Sequence, residues 1–251
     1  MTLAPERAED FQEQVDMKSL QRLTLLFLAF SIAGLFARPL AAQNIPLDSA
    51  RRLKARGIDV ASVTYHGRKA FHVMSSTEAD AAWATQPSGT GGGIVVVPDV
   101  VFHNGAIEVD VAGKPHTGAP ADARGFVGIA FRVNADASKY EYTYIRPTNG
   151  RADDQVRRNH SAQYSSYPDY EWLRLRTEFP GKYESYVDLV PGEWTHLRIE
   201  VKGVGMRLYV NGATQPTLIV NDLKMGDTQG SIALWIGVGT EAWFTNMRIN
   251  K

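Results

Sequence analysis

Along much of this chain, apolar and polar residues alternate one by one. Thr195, Leu197, Ile199 and Val201 form one side of such a run, and Trp194, His196, Arg198 and Glu200 form the other. A period of two marks a half-buried strand, because successive side chains point to opposite faces of a sheet. Similar runs occupy residues 94–97, 105–111, 125–133, 140–146, 155–164, 183–187, 206–210, 217–220, 231–236 and 242–249. Residues 61–65 and 70–74 flank His66-Gly67-Arg68-Lys69 and read as a hairpin. Turn residues separate most runs: Gly113, Pro115, Gly118, Pro120, Pro147, Asn149-Gly150, Pro180-Gly181 and Pro191-Gly192. Asn211-Gly212 is a two-residue hairpin signal, since both central positions of a type I′ turn need positive φ. Roughly eleven short strands without a long helix predict an all-β fold, a two-sheet antiparallel sandwich of jelly-roll type.

Three stretches break the rhythm. Residues 47–56 predict a helical turn or two, capped by Asp48 or Ser49 and ended at Gly57. Residues 75–93 read as a loop, and Gly91-Gly92-Gly93 lacks the GK[ST] that would make it a phosphate cradle. Residues 165–182 form a longer loop with Tyr167, Pro168, Tyr170, Trp172 and Phe179, too aromatic for an idle connection; it is expected to rim or cover a binding face.

The N-terminus follows different rules. Lys18 and Arg22 precede an apolar run over residues 23–37, and Pro39-Leu-Ala-Ala-Gln43 offers a cleavage point after Ala42. That is the order of a secretory signal, and the run is shorter than the roughly 20 residues a spanning helix needs. Met17-Lys18 is the more ordinary start for such a signal. The expected organisation is a signal at 1–42, a lead and first hairpin at 43–92, and the rest of one sandwich domain at 93–251. A secreted or periplasmic protein is expected, with no stable membrane anchor after cleavage.

The whole chain has 27 Lys and Arg against 27 Asp and Glu, and no cysteine. Charge balance argues against nucleic acid, which favours a concentrated basic surface. Without cysteine there are no disulfides, thiolate metal sites or cysteine nucleophiles, and stability must come from the core.

Candidate chemistry lies on the polar sides of strands. In residues 105–111, Ile107, Val109 and Val111 face in, so Glu108 and Asp110 share the outer face. Two carboxyls on one strand face suit acid/base work; retaining glycosidases hold such a pair about 5–5.5 Å apart. In residues 125–133, Val127, Ile129, Phe131 and Val133 face in, leaving Gly128 and Ala130 small enough for a ligand beside the cation Arg132. Residues 140–176 are denser still, with Tyr140, Tyr142, Tyr144, Arg146, Arg157, Arg158, His160, Gln163, Tyr164, Trp172 and Arg176. Aromatic faces stack on sugar C–H surfaces, while Arg, Gln and His donate to and accept from hydroxyls. Six arginines against four carboxylates in residues 146–176 suit an acidic glycan. Read as a strand, residues 155–164 place Arg158 and His160 on one face and Arg157, Asn159, Ser161 and Gln163 on the other. The six histidines show no HExxH or close pairing. No metal ligand set emerges, and for structural calcium only loop groups such as Asp99, Asp122, Asp136, Asn221 and Asp222 offer themselves.

The strand wording of Gly192-Glu-Trp-Thr-His-Leu-Arg-Ile-Glu-Val-Lys-Gly, Met206-Arg-Leu-Tyr-Val-Asn-Gly, Gly230-Ser-Ile-Ala-Leu-Trp-Ile-Gly and Trp243-Phe-Thr-Asn-Met-Arg-Ile resembles the concanavalin A-like lectin/glucanase (laminin-G-like) superfamily. Within it the chain is most similar to secreted bacterial 3-keto-disaccharide hydrolase domains, also described as family 16 glycoside hydrolase-like, over most of residues 93–251. The resemblance implies a carbohydrate partner. Family 16 glucanases carry Glu-x-Asp-x-x-Glu, and here Ala112-Gly113 follow Asp110 in place of the third carboxylate. The leading expectation is a monomeric carbohydrate-recognition domain without cofactor, with Arg132, Tyr142, Tyr144, Arg146, Arg158, Gln163, Tyr164 and Trp172 contacting the glycan. The alternative is a 3-keto-disaccharide-type hydrolase using Glu108, Asp110 and His160. A jelly-roll polysaccharide lyase would use Arg158, His160 and Tyr164, although its Gln-Ile-His motif is absent. An adhesion module would instead present an exposed apolar patch.

Overall fold

The computed structural model describes residues 43–45, 54–56, 58–85 and 92–251. The signal expected at 1–42 and residues 47–53 of the expected helical turn lie outside them. Fifteen strands follow in order: β1 (Gln43–Asn44), β2 (Lys54–Arg56), β3 (Ile58–Tyr65), β4 (Arg68–Ser75), β5 (Gly92–Val96), β6 (Gly105–Pro115), β7 (Val127–Val133), β8 (Tyr140–Ile145), β9 (Ala162–Tyr167), β10 (Glu184–Ser185), β11 (Thr195–Lys202), β12 (Gly205–Val210), β13 (Leu218–Val220), β14 (Ser231–Gly237) and β15 (Thr240–Asn250). One sheet has the order β13-β12-β11-β6-β15-β4-β3, with β1 also on β15; the other runs β10-β9-β8-β7-β14-β5-β2. Every strand pair is antiparallel. The fold is the expected β-sandwich.

The core comes from the inward side of each alternating strand. Ile107, Val109 and Val111 of β6 meet Leu197, Ile199 and Val201 of β11 and Val127, Ile129 and Phe131 of β7 in one buried cluster. Each large apolar side chain so buried contributes about 1.5–3 kcal/mol. The hairpin at Tyr65–Arg68 closes on His66 and Gly67, both at positive φ. Asn211 and Gly212 also take positive φ. Their turn does not lead straight into a paired strand, however; β13 begins only at Leu218 and pairs Leu218 with Leu208.

Several expected elements differ. Lys54–Arg56 is a strand, not the end of a helical turn, and pairs with β5. The expected loop at 75–93 contains helix α1 (Thr77–Thr85). Ser76 Oγ accepts the Ala79 N–H at 3.2 Å, and Glu78 and Asp80 stand in the first turn, where the helix dipole favours negative charge. Residues 155–164 are not one strand. Asp154 caps a short helix α2 (Gln155–Asn159) by accepting the Arg157 N–H, and β9 starts only at Ala162. The face assignment made for Arg158 and His160 therefore fails. The aromatic loop at 165–182 contains helix α3 (Trp172–Glu178).

Arg132 is also misassigned by simple alternation. A register shift between β7 and β14 near Ser231 and Ala233 accompanies a positive φ at Arg132. This turns Val133 to the outer face and Arg132 into a fully buried position. Its guanidinium donates to the carbonyls of His103, Gly203 and Gly226 and to Asn104 and Asp227. It fastens three loops at one end of the sandwich and contacts no open surface.

A pH-sensitive clamp fastens α1. His116 Nε2 lies 2.6 Å from Asp80 Oδ2, its Nδ1 lies 2.9 Å from the Thr117 carbonyl, and Asp80 Oδ1 accepts the Gly239 N–H. Both ring nitrogens face acceptors, so the doubly protonated imidazolium satisfies both. Burial opposes that charge, but Thr117 and Asp80 outweigh it and raise the histidine above its ordinary value. Its stabilising contribution is complete below the unfolded-state pKa of about 6.5 and is lost as pH rises through the higher folded value. Thermal melts from pH 5 to 9 should show this decline in the parent, and His116→Gln should flatten it. Parallel profiles would contradict the clamp.

Candidate functional site

The outer face of the seven-stranded sheet is built in cross-strand rows. Ile94, Trp235, Gly128, Tyr144, Gln163 and Glu184 are successive partners across β5, β14, β7, β8, β9 and β10. A Cβ on Gly128 would sit 2.1 Å from the Thr143 carbonyl oxygen and 2.6 Å from Tyr144 Cα. Glycine there lets Tyr144 and Trp235 close over the strand with ring centroids 4.6 Å apart. In the next row Ala130 lies between Tyr142 and Ala233. The space expected beside Gly128 and Ala130 is therefore occupied by Tyr142, Tyr144 and Trp235, all buried.

The row changes character toward its end. Glu184 is 3% exposed in its side chain and gathers two guanidinium groups and an imidazole. Arg146 Nη1 approaches its Oε1 at 3.4 Å, Arg176 donates to both oxygens, and His160 Nδ1 lies 2.8 Å from Oε2. Arg146 also donates to Tyr144 Oη at 3.0 Å, Gln163 Oε1 at 2.8 Å and the His160 carbonyl at 2.9 Å. Above this network lies a cleft of about 380 Å³. It is lined by Asp122, Arg124, Phe126, Arg146, Asn149, Asp154, Val156, Arg157, His160, Trp172 and Arg176. Burial lowers the His160 pKa, assisted by Arg176 and Arg146 and opposed by Glu184, which favours the neutral ring. With Glu184 at Nδ1, Nε2 is the nitrogen on the opposite edge of the ring.

The structure unites only part of the sequence-derived set. Arg146, His160 and Trp172 line the cleft. Gln163, Tyr142 and Tyr144 lie buried beneath and beside it. Tyr164 points into the core, where its hydroxyl donates to buried Glu141 at 2.5 Å and accepts the Lys224 N–H. Arg158 lies on α2 and pairs with Tyr186, outside the cleft lining. Glu108 and Asp110 are on the outer face of the other sheet. There Asp110 meets Arg68, His196 and Asn246. They stand on the opposite side of the sandwich from His160, so the three acid/base candidates do not form one constellation. Among the calcium candidates, Asp222 is held near pKa 2 by Lys182, Tyr183 and Lys224 despite partial burial. Among the described residues, no group of three or more His, Cys, Asp or Glu side chains is placed to hold a metal.

Sequence reading missed Glu184. Its one signal was a lone carboxylate in a stretch read as a strand near an arginine surplus. Glu171 enters the sequence reading only as one of the four carboxylates counted in residues 146–176. Burial instead pushes its carboxyl up to about 7, although the Tyr142 hydroxyl donates to it at 2.5 Å.

Residues 63–250 match the family model described as the 3-keto-alpha-glucoside-1,2-lyase-like domain. Among solved structures, the chain is similar to the carbohydrate binding module CBM66 from Bacillus subtilis. The identity is 13% and the TM-score 0.52, over 78% of this chain and 92% of that one. It is also similar to a Bacillus subtilis protein of unknown function with a galectin-like fold. Here the identity is 11% and the TM-score 0.54, over 83% of this chain and 94% of that one. Both likenesses show a shared sandwich fold. No curated protein matches the chain.

Glu171 gives this site a measurable signature. A carboxyl whose pKa is raised on folding loses stability as pH climbs from its ordinary range through about 7. A shift of that size corresponds to a loss on the order of 3 kcal/mol. Glu171→Gln should melt close to the parent at pH 4.5 and clearly above it at pH 8. An equal difference at both pH values would mean that the carboxyl titrates normally.

Proposed function

Given that the chain belongs to the 3-keto-alpha-glucoside-1,2-lyase-like domain family, we propose that it binds a 3-keto glucoside in the Arg146–His160–Trp172 cleft and cleaves it by elimination. The supporting observation is a histidine at the cleft, its neutral form favoured by burial, with the buried Glu184 carboxylate 2.8 Å from its Nδ1 and Arg146 and Arg176 lining the same cleft. A ketone at C3 acidifies the hydrogen on C2. His160 Nε2 takes that proton, and the C2 electron pair forms the C1–C2 double bond as the C1–O bond breaks. The departing oxygen takes up a proton and leaves as an alcohol. No water is consumed. Arg146 and Arg176 are suited to stabilise negative charge building on the C3 oxygen, and Trp172 supplies a face for the sugar ring.

Elimination fits these residues better than hydrolysis. Retaining hydrolysis needs two carboxyls about 5–5.5 Å apart across the scissile bond. The cleft lining includes the carboxyls of Asp122 and Asp154, and Asp154 Oδ1 accepts the Arg157 N–H as the cap of α2. Elimination requires one base and a charge stabiliser. Non-catalytic recognition of the same sugar would use the same walls.

Mass spectrometry of a 3-keto disaccharide incubated with the protein separates these readings. Fragments whose masses sum to the substrate would support elimination; a gain of water would support hydrolysis; saturable binding without products would leave recognition alone. His160→Asn should lower kcat by about a hundredfold or more if His160 is the base. The parent rate should fall only on the acid side of the lowered histidine pKa.

Export belongs to the same proposal, supported by Lys18, Arg22 and the apolar run at 23–37. N-terminal sequencing of protein recovered outside the cytoplasm should then begin at Gln43. A start that retains residues 17–42 would contradict it.

A further inference from the structure

The cleft has a charge surplus that the elimination step does not use. Arg146, Arg176 and His160 share Glu184. Arg124 and Arg157, which also line the cleft, donate to uncharged oxygens. Arg124 Nη1 donates to the carbonyls of Ala121 and Ala123, each at 2.9 Å. Arg157 donates from Nε to Asn149 Oδ1 at 3.1 Å and from Nη2 to Thr148 Oγ1 at 3.4 Å. Asp154 Oδ1 accepts the backbone N–H of Arg157 at 2.7 Å as the cap of α2. Asp122 draws Arg124 electrostatically. Four guanidinium side chains, Arg124, Arg146, Arg157 and Arg176, thus line this small volume with two carboxylates, Asp122 and Asp154, while the third, Glu184, is buried beside Arg146 and Arg176.

We infer that Arg124 and Arg157 form a subsite for an oxyanion, a carboxylate or phosphate, carried by the sugar that occupies the cleft. This rests on the cleft being the sugar site, and it specifies the substrate class as an acidic glycoside. Burial lowers the Arg124 pKa, and the charges of Arg157 and Arg146 lower it further, outweighing the pull of Asp122. An anion held beside Arg124 and Arg157 relieves that repulsion. Forked N–H donors also match a carboxylate or phosphate in a way that a sugar hydroxyl cannot. Asn149 and Thr148 orient Arg157 as rigid partners from the turn at Pro147–Asn149.

Two measurements test the subsite, and they fail independently of the elimination chemistry. The first titrates the full-length protein with inorganic phosphate, and separately with D-glucuronate and D-glucose, following the His160 ring by NMR. Phosphate and glucuronate should produce saturable shifts that weaken with added salt, and glucose should bind at least about tenfold more weakly than glucuronate. Arg157→Gln and Arg124→Gln should each collapse the ratio of glucuronate to glucose affinity. The second compares turnover of 3-keto disaccharides with and without a carboxylate or phosphate on the keto sugar. A parent preference for the acidic substrate that disappears in Arg157→Gln supports the subsite, and the better anion identifies which oxyanion it takes. Equal affinity for glucuronate and glucose, with no phosphate shift, overturns it even if the neutral keto sugar is cleaved. Anion binding without cleavage of any keto sugar keeps the subsite and removes the elimination reading. Rescue of the acidic preference by Arg157→Lys shows that charge is the operative property, because a merely structural arginine would not restore it.

Discussion

The buried carboxylate of Glu184 is the constraint around which this end of the molecule is organised. An isolated carboxylate at that depth would be strongly disfavoured, and it persists because Arg146, Arg176 and His160 converge on it. Those three side chains come from the residue after β8, from α3 and from the residue after α2. One charge therefore sets the relative position of three otherwise separate segments. It also stands 2.8 Å from the Nδ1 edge of the His160 ring.

The sheet face beneath explains why that charge lies at the margin. Gly128 and Ala130 give Tyr142, Tyr144 and Trp235 room to close over the strands, which makes the middle of the face apolar and dry. A polar network can begin only where this aromatic floor ends, at Gln163 and Glu184. The floor raises the pKa of Glu171 and pushes the Tyr144 hydroxyl up to about 12, both chiefly through burial. The groups that remain both accessible and chemically versatile are the histidine and arginines at the rim.

How much could be read from sequence depended on how each strand is covered. In β6, β11 and β12 one face meets the core and the other meets solvent, so alternation identified both sides correctly. In β7 and β8 every residue is buried, and a period of two no longer distinguishes inside from outside. Tyr142 and Tyr144 therefore passed for ligand contacts, and the bulge that turns Arg132 inward had no local warning. The surplus of arginine between residues 146 and 176 located the region of the cleft. It did not separate Arg158, which leans on Tyr186, from Arg157, which lines the wall, because α2 is too short to show helical periodicity. The Asp154 cap was the available clue. Glu184 needed knowledge of which strand lies beside Gln163, a long-range pairing that no local pattern encodes.

Arg132 carries a different consequence. By holding the carbonyls of His103, Gly203 and Gly226 on one guanidinium, it makes three surface connections into a single mechanical unit. Loop grafting at that end would not be modular: a longer or stiffer segment placed near residue 203 would change the footing of the other two. The opposite arrangement holds at the cleft, whose walls come from short helices and turns laid against a finished sheet. Selectivity there can drift by local substitution, while the sandwich underneath continues to fold as before.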